Sequence, residues 1–269
     1  MIPKILFTYW EGDQLSELHY YTIYSLHKHN PDLDITIYTA LNPTTILKQW
    51  NTSEHSVEIN KKITLDEIVS INREKIKLVP IDFQNEYNIE NNISCVYKAD
   101  FTRIVKLYEH GGVWFDMDIL FIKPIPPFFF STDVDMILFT YSKTIPTGFI
   151  VGKPKCEMIT DLYKTSVNII KNKQLDNYQK IGPELWRTKY NISNKQKNLF
   201  ALSEHIYPFE WDNIDGFFTS TDESVIKDYT FGVHWYNGGV STKKFINTFD
   251  RTSVNAERSL FEKMIKRIM

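Results

Sequence analysis

Tyr97-Lys-Ala-Asp-Phe-Thr-Arg-Ile-Val-Lys-Leu-Tyr-Glu-His-Gly-Gly-Val-Trp-Phe-Asp-Met-Asp118 decides the reading of this 269-residue chain. The stretch reads as a helix, a Gly-Gly turn and a short apolar strand ending in Asp116 and Asp118. Residues i and i+2 of a strand share a side, which predicts that both carboxylates leave the sheet edge together. Like charges so placed repel unless a cation sits between them. Hard oxygen ligands suit Mn²⁺ or Mg²⁺, ions that also hold a diphosphate. Taken alone, an Asp-x-Asp is a weak signal, because most such pairs are solvated turns or N-caps.

Outward from this stretch, strands and helices alternate. A buried strand is expected at 4–9, then a helix near 15–29 stopped by Asn30-Pro31. Residues 34–39 alternate as a strand does, 43–50 read as a short helix, and 76–80 as a strand within a polar stretch, 51–92, that looks like a helical insertion. Helix 95–110 and strands 113–116 and 119–122 follow, then strand candidates at 134–140 and 148–152 and an amphipathic helix at 156–171. Such interleaving predicts an α/β sandwich around a mostly parallel sheet, where ligands bind beyond the carboxyl ends of the strands. Trp10 stands at that edge after the first strand. It either stacks on a nucleobase, an interaction worth about 1–3 kcal/mol, or caps the core.

Composition narrows the function classes. Hydrophobic residues make up 42% and charged residues 24%, ordinary for a globular chain. The net charge of −2 gives no case for nucleic-acid binding. No apolar run spans a bilayer, and Met-Ile-Pro-Lys is no signal peptide, so a cytoplasmic location is expected. Cys95 and Cys156 fit a reducing compartment and lack metal-site spacing. Sequons at Asn51, Asn92 and Asn191 matter only after secretion. The C-terminal stretch 255–269 is amphipathic: Leu260, Phe261, Met264, Ile265 and Ile268 share a face that either packs on the domain or makes peripheral membrane contact.

Asp100-Phe-Thr-Arg103, followed by Leu107-Tyr-Glu-His-Gly-Gly-Val-Trp-Phe-Asp-Met-Asp118, resembles the signature of DxD sugar transferases. The match is to glycosyltransferase family thirty-two, with the large clostridial glucosylating toxins as more distant relatives. Ala99, Asp100, Arg103, Gly111, Gly112, Asp116 and Asp118 fall in register, while Phe115 replaces a Tyr. Ile2-Pro-Lys-Ile-Leu-Phe-Thr-Tyr-Trp10-Glu-Gly12 is similar to that family's first strand. The resemblance covers about 1–40 and 95–240. It implies one GT-A domain, with a nucleotide-sugar half at about 1–125, an acceptor half at about 126–250 and helices on both faces of a Rossmann-like sheet.

The resemblance also implies roles. Asp116, Asp118 and His234 would hold the metal, Mn²⁺ or Mg²⁺; Tyr9 and Trp10 would meet the nucleotide. Asp100 would accept hydrogen bonds from the donor sugar, and Arg103 would hold sugar or diphosphate, although at i and i+3 the two also make a simple helix ion pair. Gly182, Pro183 and Glu184, in Ile181-Gly-Pro-Glu-Leu-Trp186, resemble an element bordering the sugar pocket, and Pro at a helix start is also ordinary local structure. His234, in Phe231-Gly-Val-His-Trp-Tyr-Asn-Gly-Gly239, stands where a strand would deliver it to the metal. The implied function is retaining transfer of a sugar from a nucleoside-diphosphate sugar to a hydroxyl acceptor. Two alternatives are a non-catalytic sugar-nucleotide or glycan-binding module and a haloacid-dehalogenase-like phosphatase, whose motif wants a hydroxyl where Leu120 stands.

Overall fold

Leu6 and Phe7 leave opposite faces of one strand and both are fully buried, so that strand needs a helical layer on each side. The computed structural model describes residues 1–12, 14–44, 59–140, 144–192 and 197–269. In chain order come β1 (Ile5–Tyr9), α1 (Glu17–His29), β2 (Asp34–Ala40), α2 (Leu65–Val69), β3 (Ile76–Ile81) and α3 (Phe83–Tyr87). Next are α4 (Cys95–His110), β4 (Gly112–Phe115), β5 (Ile119–Phe121), α5 (Phe128–Ser131), β6 (Met136–Thr140), β7 (Phe149–Gly152) and α6 (Glu157–Lys171). Last are α7 (Pro183–Ile192), β8 (Asn198–Leu202), α8 (Asp215–Thr219), β9 (Gly232–His234), α9 (Val240–Thr248) and α10 (Leu260–Ile268). The helix expected at 43–50 and the sequon at Asn51 lie outside the described residues, apart from positions 43 and 44.

Seven strands form one sheet in the order β3-β2-β1-β4-β7-β6-β8. Six run one way; β7 is antiparallel to both of its neighbours. Pro80, which cannot donate to a ladder, lies in the edge strand β3. One face packs Leu6, Val113 and Phe115 against Ile23 and Leu26 of α1. The other packs Phe7 and Trp114 against Phe101, Ile104 and Leu107 of α4. This α/β/α architecture is the mostly parallel sandwich that the alternation predicts. At Gly112, with φ +106°, an added Cβ would meet the Ile5 carbonyl at 2.5 Å, so the Gly-Gly turn lets β4 enter beside β1.

Asp116 and Asp118 depart from expectation in one respect: they are not strand residues. β4 ends at Phe115, residues 117–118 turn, and β5 leaves the main sheet to pair antiparallel with β9. The backbone hydrogen bonds explain the break. Asp116 N donates to the Gly148 carbonyl, extending the β4–β7 ladder, whereas the Asp118 carbonyl accepts from Trp235 N, beside the β5–β9 ladder. The carboxylates converge because the chain bends between two sheets, not through strand periodicity.

α10 settles the fate of the C-terminal amphipathic stretch. Leu260, Phe261, Met264, Ile265 and Ile268 are all buried, in a cluster with Leu18 and Tyr21 of α1, Trp235 and Phe217. The face that would enter lipid is covered by protein. Among the described residues no helix is long and apolar enough to cross a membrane.

The start of α1 carries a titration signal. Ser16 N donates to His19 Nδ1 at 3.0 Å, and that imidazole packs between Trp10, at 4.6 Å, and Trp235, at 5.1 Å. Burial, aided by the Lys243 charge, pushes the His19 pKa down to about 3. An unfolded chain binds that proton near pH 6.5. Between those values the unfolded state holds more protons, so stability is full above 6.5 and falls as pH drops, by at most about 1.4 kcal/mol per unit. Urea midpoints from pH 7 to 5 should therefore decline less steeply in His19→Asn than in wild type. Parallel slopes would remove His19 from the account.

Candidate active site

The carboxyl ends of β1 and β4, adjacent parallel strands, open onto a cavity of about 590 Å³. Tyr9, Trp10 and Glu11 line it from the end of β1 and the residues after it, Ala99, Asp100 and Arg103 from α4, and Trp114, Asp116 and Asp118 from β4 and the bend that follows. This is the ligand position expected of an open α/β sheet.

Within it each Asp divides its oxygens between two tasks. Asp116 Oδ1 accepts from Arg103 Nη2 at 2.9 Å and Trp114 Nε1 at 2.8 Å, leaving Oδ2 directed at His234 Nε2, 3.7 Å away. Asp118 Oδ2 accepts from Asn237 N at 2.7 Å, leaving Oδ1 3.1 Å from the same nitrogen. β9 delivers His234 because its register with β5 sets His234 opposite Ile119, the residue after Asp118. One ligand atom from each of Asp116, Asp118 and His234 lies within 4.8 Å of the others. Two carboxylates and an imidazole form a donor set suited to Mn²⁺, and to Mg²⁺ with more water retained.

Electrostatics fit that reading. Burial raises the Asp116 pKa, but Arg103, His234 and Trp114 outweigh it and hold the carboxyl at about 2. Burial likewise opposes charge on His234, yet Asp118 and Asp116 lift it to about 9. The imidazole thus takes a proton where no other cation balances the carboxylates, and a metal ion would displace that proton. Gly148 keeps the space open. A Cβ there would stand 2.9 Å from His234 Nε2 and 3.0 Å from Asp116 Oδ2.

Beside this cluster Arg103 Nη1 donates to Asp100 Oδ1 at 2.6 Å, and the guanidinium lies 4.8 Å from the Trp114 ring. Asp100 and Arg103 are both 5% exposed, so theirs is no solvated helix pair. Burial raises the Asp100 pKa to about 6 against the pull of Arg103. Gly182 packs directly on Asp100: its Cβ, if present, would fall 2.6 Å from Oδ2. Pro183, first residue of α7, lines the cavity. Glu184 does not; its carboxylate accepts from Asn177 Nδ2 at 3.0 Å and faces Lys180 at 3.8 Å.

Residues 16–142 match the family described as "Glycosyltransferase sugar-binding region containing DXD motif". The matched stretch, just under half of the chain, is similar to the DXD-containing region of that family, and the chain is a glycosyltransferase. The family model ends before β9, so the site joins the matched region to a strand beyond it. No curated sequence matches the transferase. Solved structures similar to it include PaToxG glycosyltransferase, at 12% identity over 98% of this chain and 86% of that one, with a TM-score of 0.50. Another is the apo-form glycosyltransferase GlyE of Streptococcus pneumoniae TIGR4, at 10% identity over 98% and 63%, TM-score 0.49. A third is the catalytic domain of α-toxin from Clostridium novyi, at 11% identity over 98% and 83%, TM-score 0.42. The fold is GT-A. The phosphatase and binding-module alternatives give way to the transferase.

Three residues of the transferase site escape sequence reasoning. Lys243, in the second turn of α9, is 4% exposed yet lines the cavity, its ammonium donating to Asn237 Oδ1 at 3.1 Å. Burial lowers its pKa, opposed by Asp118. A Gly-Gly turn ahead of a helix is the only hint the sequence gives. Glu11 and Lys98 form a fully buried ion pair at 2.9 Å, with side chains 2% and 0% exposed. Glu11 also accepts from the Tyr9 hydroxyl at 2.5 Å and from Thr44 N, and thereby ties the segment after β2 to the cavity rim. Trp10, partly buried, donates to the Gly12 carbonyl and presents its edge or face to His19.

One backbone outlier adjoins the site. Tyr236, two residues beyond His234, has φ 49°, a left-handed conformation costing an aromatic residue about 1–2 kcal/mol. Its hydroxyl bonds to the Phe209 carbonyl at 3.0 Å, and its ring lies 4.4 Å from that of His234.

Proposed function

We propose that the enzyme moves a sugar from a nucleoside diphosphate to a hydroxyl acceptor with retention of anomeric configuration, using a divalent metal held by Asp116, Asp118 and His234. The observation that supports this most is the division of oxygens at the two carboxylates: one each for protein hydrogen bonds, one each turned toward His234 Nε2. A bound Mn²⁺ or Mg²⁺ would supply positive charge to the departing diphosphate.

The chain's own groups divide the remaining work. Lys243 offers a partly desolvated ammonium to phosphate oxygens. Asp100, fixed by Arg103 and pressed by Gly182, accepts hydrogen bonds from the donor sugar; Tyr9 and Trp10 shape the nucleotide end. Glu11 is engaged by Lys98, while Asp100 and Asp116 are both held by Arg103. Carboxylates so engaged make poor nucleophiles, which favours a front-face course in which a leaving phosphate oxygen takes the acceptor proton. Glu184, away from the cavity wall, serves in this reading to hold Asn177 and Lys180 rather than the reacting sugar. A cytoplasmic setting and synthesis of a polysaccharide or other glycan belong to the same proposal.

Release of sugar from UDP- and GDP-sugars, assayed with Mn²⁺ and with chelator, tests the whole. Slow metal-dependent hydrolysis is expected, and its absence with every donor would defeat the reading. Asp100 tests the sugar pocket separately. Asp100→Ala should leave affinity for the free nucleoside diphosphate nearly unchanged, because Arg103 keeps Asp116. The same change should weaken the intact sugar-nucleotide and cut transfer tenfold or more, since a buried polar group left unpaired costs about 1–3 kcal/mol. Calorimetry on both ligands decides it; equal losses would mean that Asp100 does not meet the sugar.

A further inference from the structure

Beyond the donor cavity, a line of rings leads outward from the candidate metal cluster. His234 touches Tyr236 at 4.4 Å between centroids, and Tyr236 touches Trp211 at 5.6 Å with the planes at 81°. Trp211 is 50% exposed, although large apolar side chains usually gain from being covered. It is also held in place. Residues 210–213 form a turn in which Asn213 Oδ1 accepts from Glu210 N at 2.7 Å and Asn213 N donates to the Glu210 carbonyl at 3.2 Å. The preceding residue, Phe209, is anchored by the Tyr236 hydroxyl. A residue in the left-handed region thus links an exposed indole to the His234 ring.

Chemistry narrows the occupant. Glu210, Asp212 and Asn213 flank the indole and are exposed. An exposed apolar ring with acceptor-bearing residues next to it in the chain complements a pyranose ring, with C–H groups on one face and hydroxyls on the rim.

The geometry points to Trp211 as the platform of an acceptor subsite for a sugar ring, so that the acceptor hydroxyl belongs to a glycan. This inference rests on the transferase reading and deepens it. Saturation-transfer NMR with methyl β-galactoside, methyl α-glucoside, methyl α-mannoside and lactose tests it on wild type, Trp211→Ala and Trp211→Phe. At least one glycoside should receive saturation on its ring C–H groups, fall fivefold or more in Trp211→Ala and persist in Trp211→Phe, with circular dichroism the same in all three proteins. Equal signals in Trp211→Ala, or none with any glycoside on wild type, would overturn it. So would sugar transfer to a tyrosine or serine peptide that Trp211→Ala leaves at the wild-type rate. Metal-dependent donor hydrolysis by wild type is scored separately. Its loss defeats the transferase reading, whereas hydrolysis with no Trp211 effect defeats this inference alone.

Discussion

Asp118→Asn is expected to cut metal-dependent donor turnover a hundredfold or more while leaving the fold intact. The amide keeps the shape of the carboxylate, and its oxygen can still accept from Asn237 N. The backbone link from Trp235 N to the Asp118 carbonyl is untouched. What disappears is the charge on the oxygen facing His234, 3.1 Å away. A hundredfold loss equals about 2.7 kcal/mol, within the range of one misplaced charge contact in a water-poor site. Rates with Mn²⁺ present, alongside far-ultraviolet circular dichroism, give the answer. Wild-type turnover by the folded variant would rule out Asp118 as a ligand.

Gly148→Ala should act almost as strongly without removing any functional group. Gly148 has no left-handed φ, so alanine carries no conformational penalty there. Its methyl carbon would instead stand 2.9 Å from His234 Nε2 and 3.0 Å from Asp116 Oδ2, where a cation's ligands converge. Both side chains must retreat. Mn²⁺ affinity should fall tenfold or more, while the metal-free thermal midpoint moves by only a few degrees. Titration of Mn²⁺ into both proteins measures this, and superimposable curves would show that the metal lies elsewhere.

Patterns local in the chain were legible beforehand. α4 spans the expected 95–110, β1 and β2 fall within a residue of their expected bounds, and His234 closes a strand as its flanking glycines suggest. The apolar face of α10 was equally plain, and burial chose between its two fates. Features that depend on distant pairings were hidden. No spacing reveals that β7 runs against its neighbours, or that Gly148 faces His234. β8 escaped because Asn198–Leu202 is a sheet-edge strand, mostly half-exposed or exposed, with no alternation to betray it. Lys243 and the pair Glu11 and Lys98 look like surface charges until tertiary structure buries them. The bend at 116–118 gives the right convergence for a reason that strand periodicity misstates.

The turn between the two sheets also fixes when the site can exist. Asp118 is joined to Asn237, a residue 119 positions later in the chain, and β5 gains its partner only when β9 arrives. Closing so long a loop must precede any reward from its contacts, which makes this one of the slower steps available to the chain. A nascent polypeptide that has emerged as far as the end of β8 owns both aspartates and all seven strands of the main sheet, yet lacks His234 for the proposed metal site. A divalent ion that favours the completed site would therefore report, and by mass action reinforce, the final docking of the C-terminal quarter.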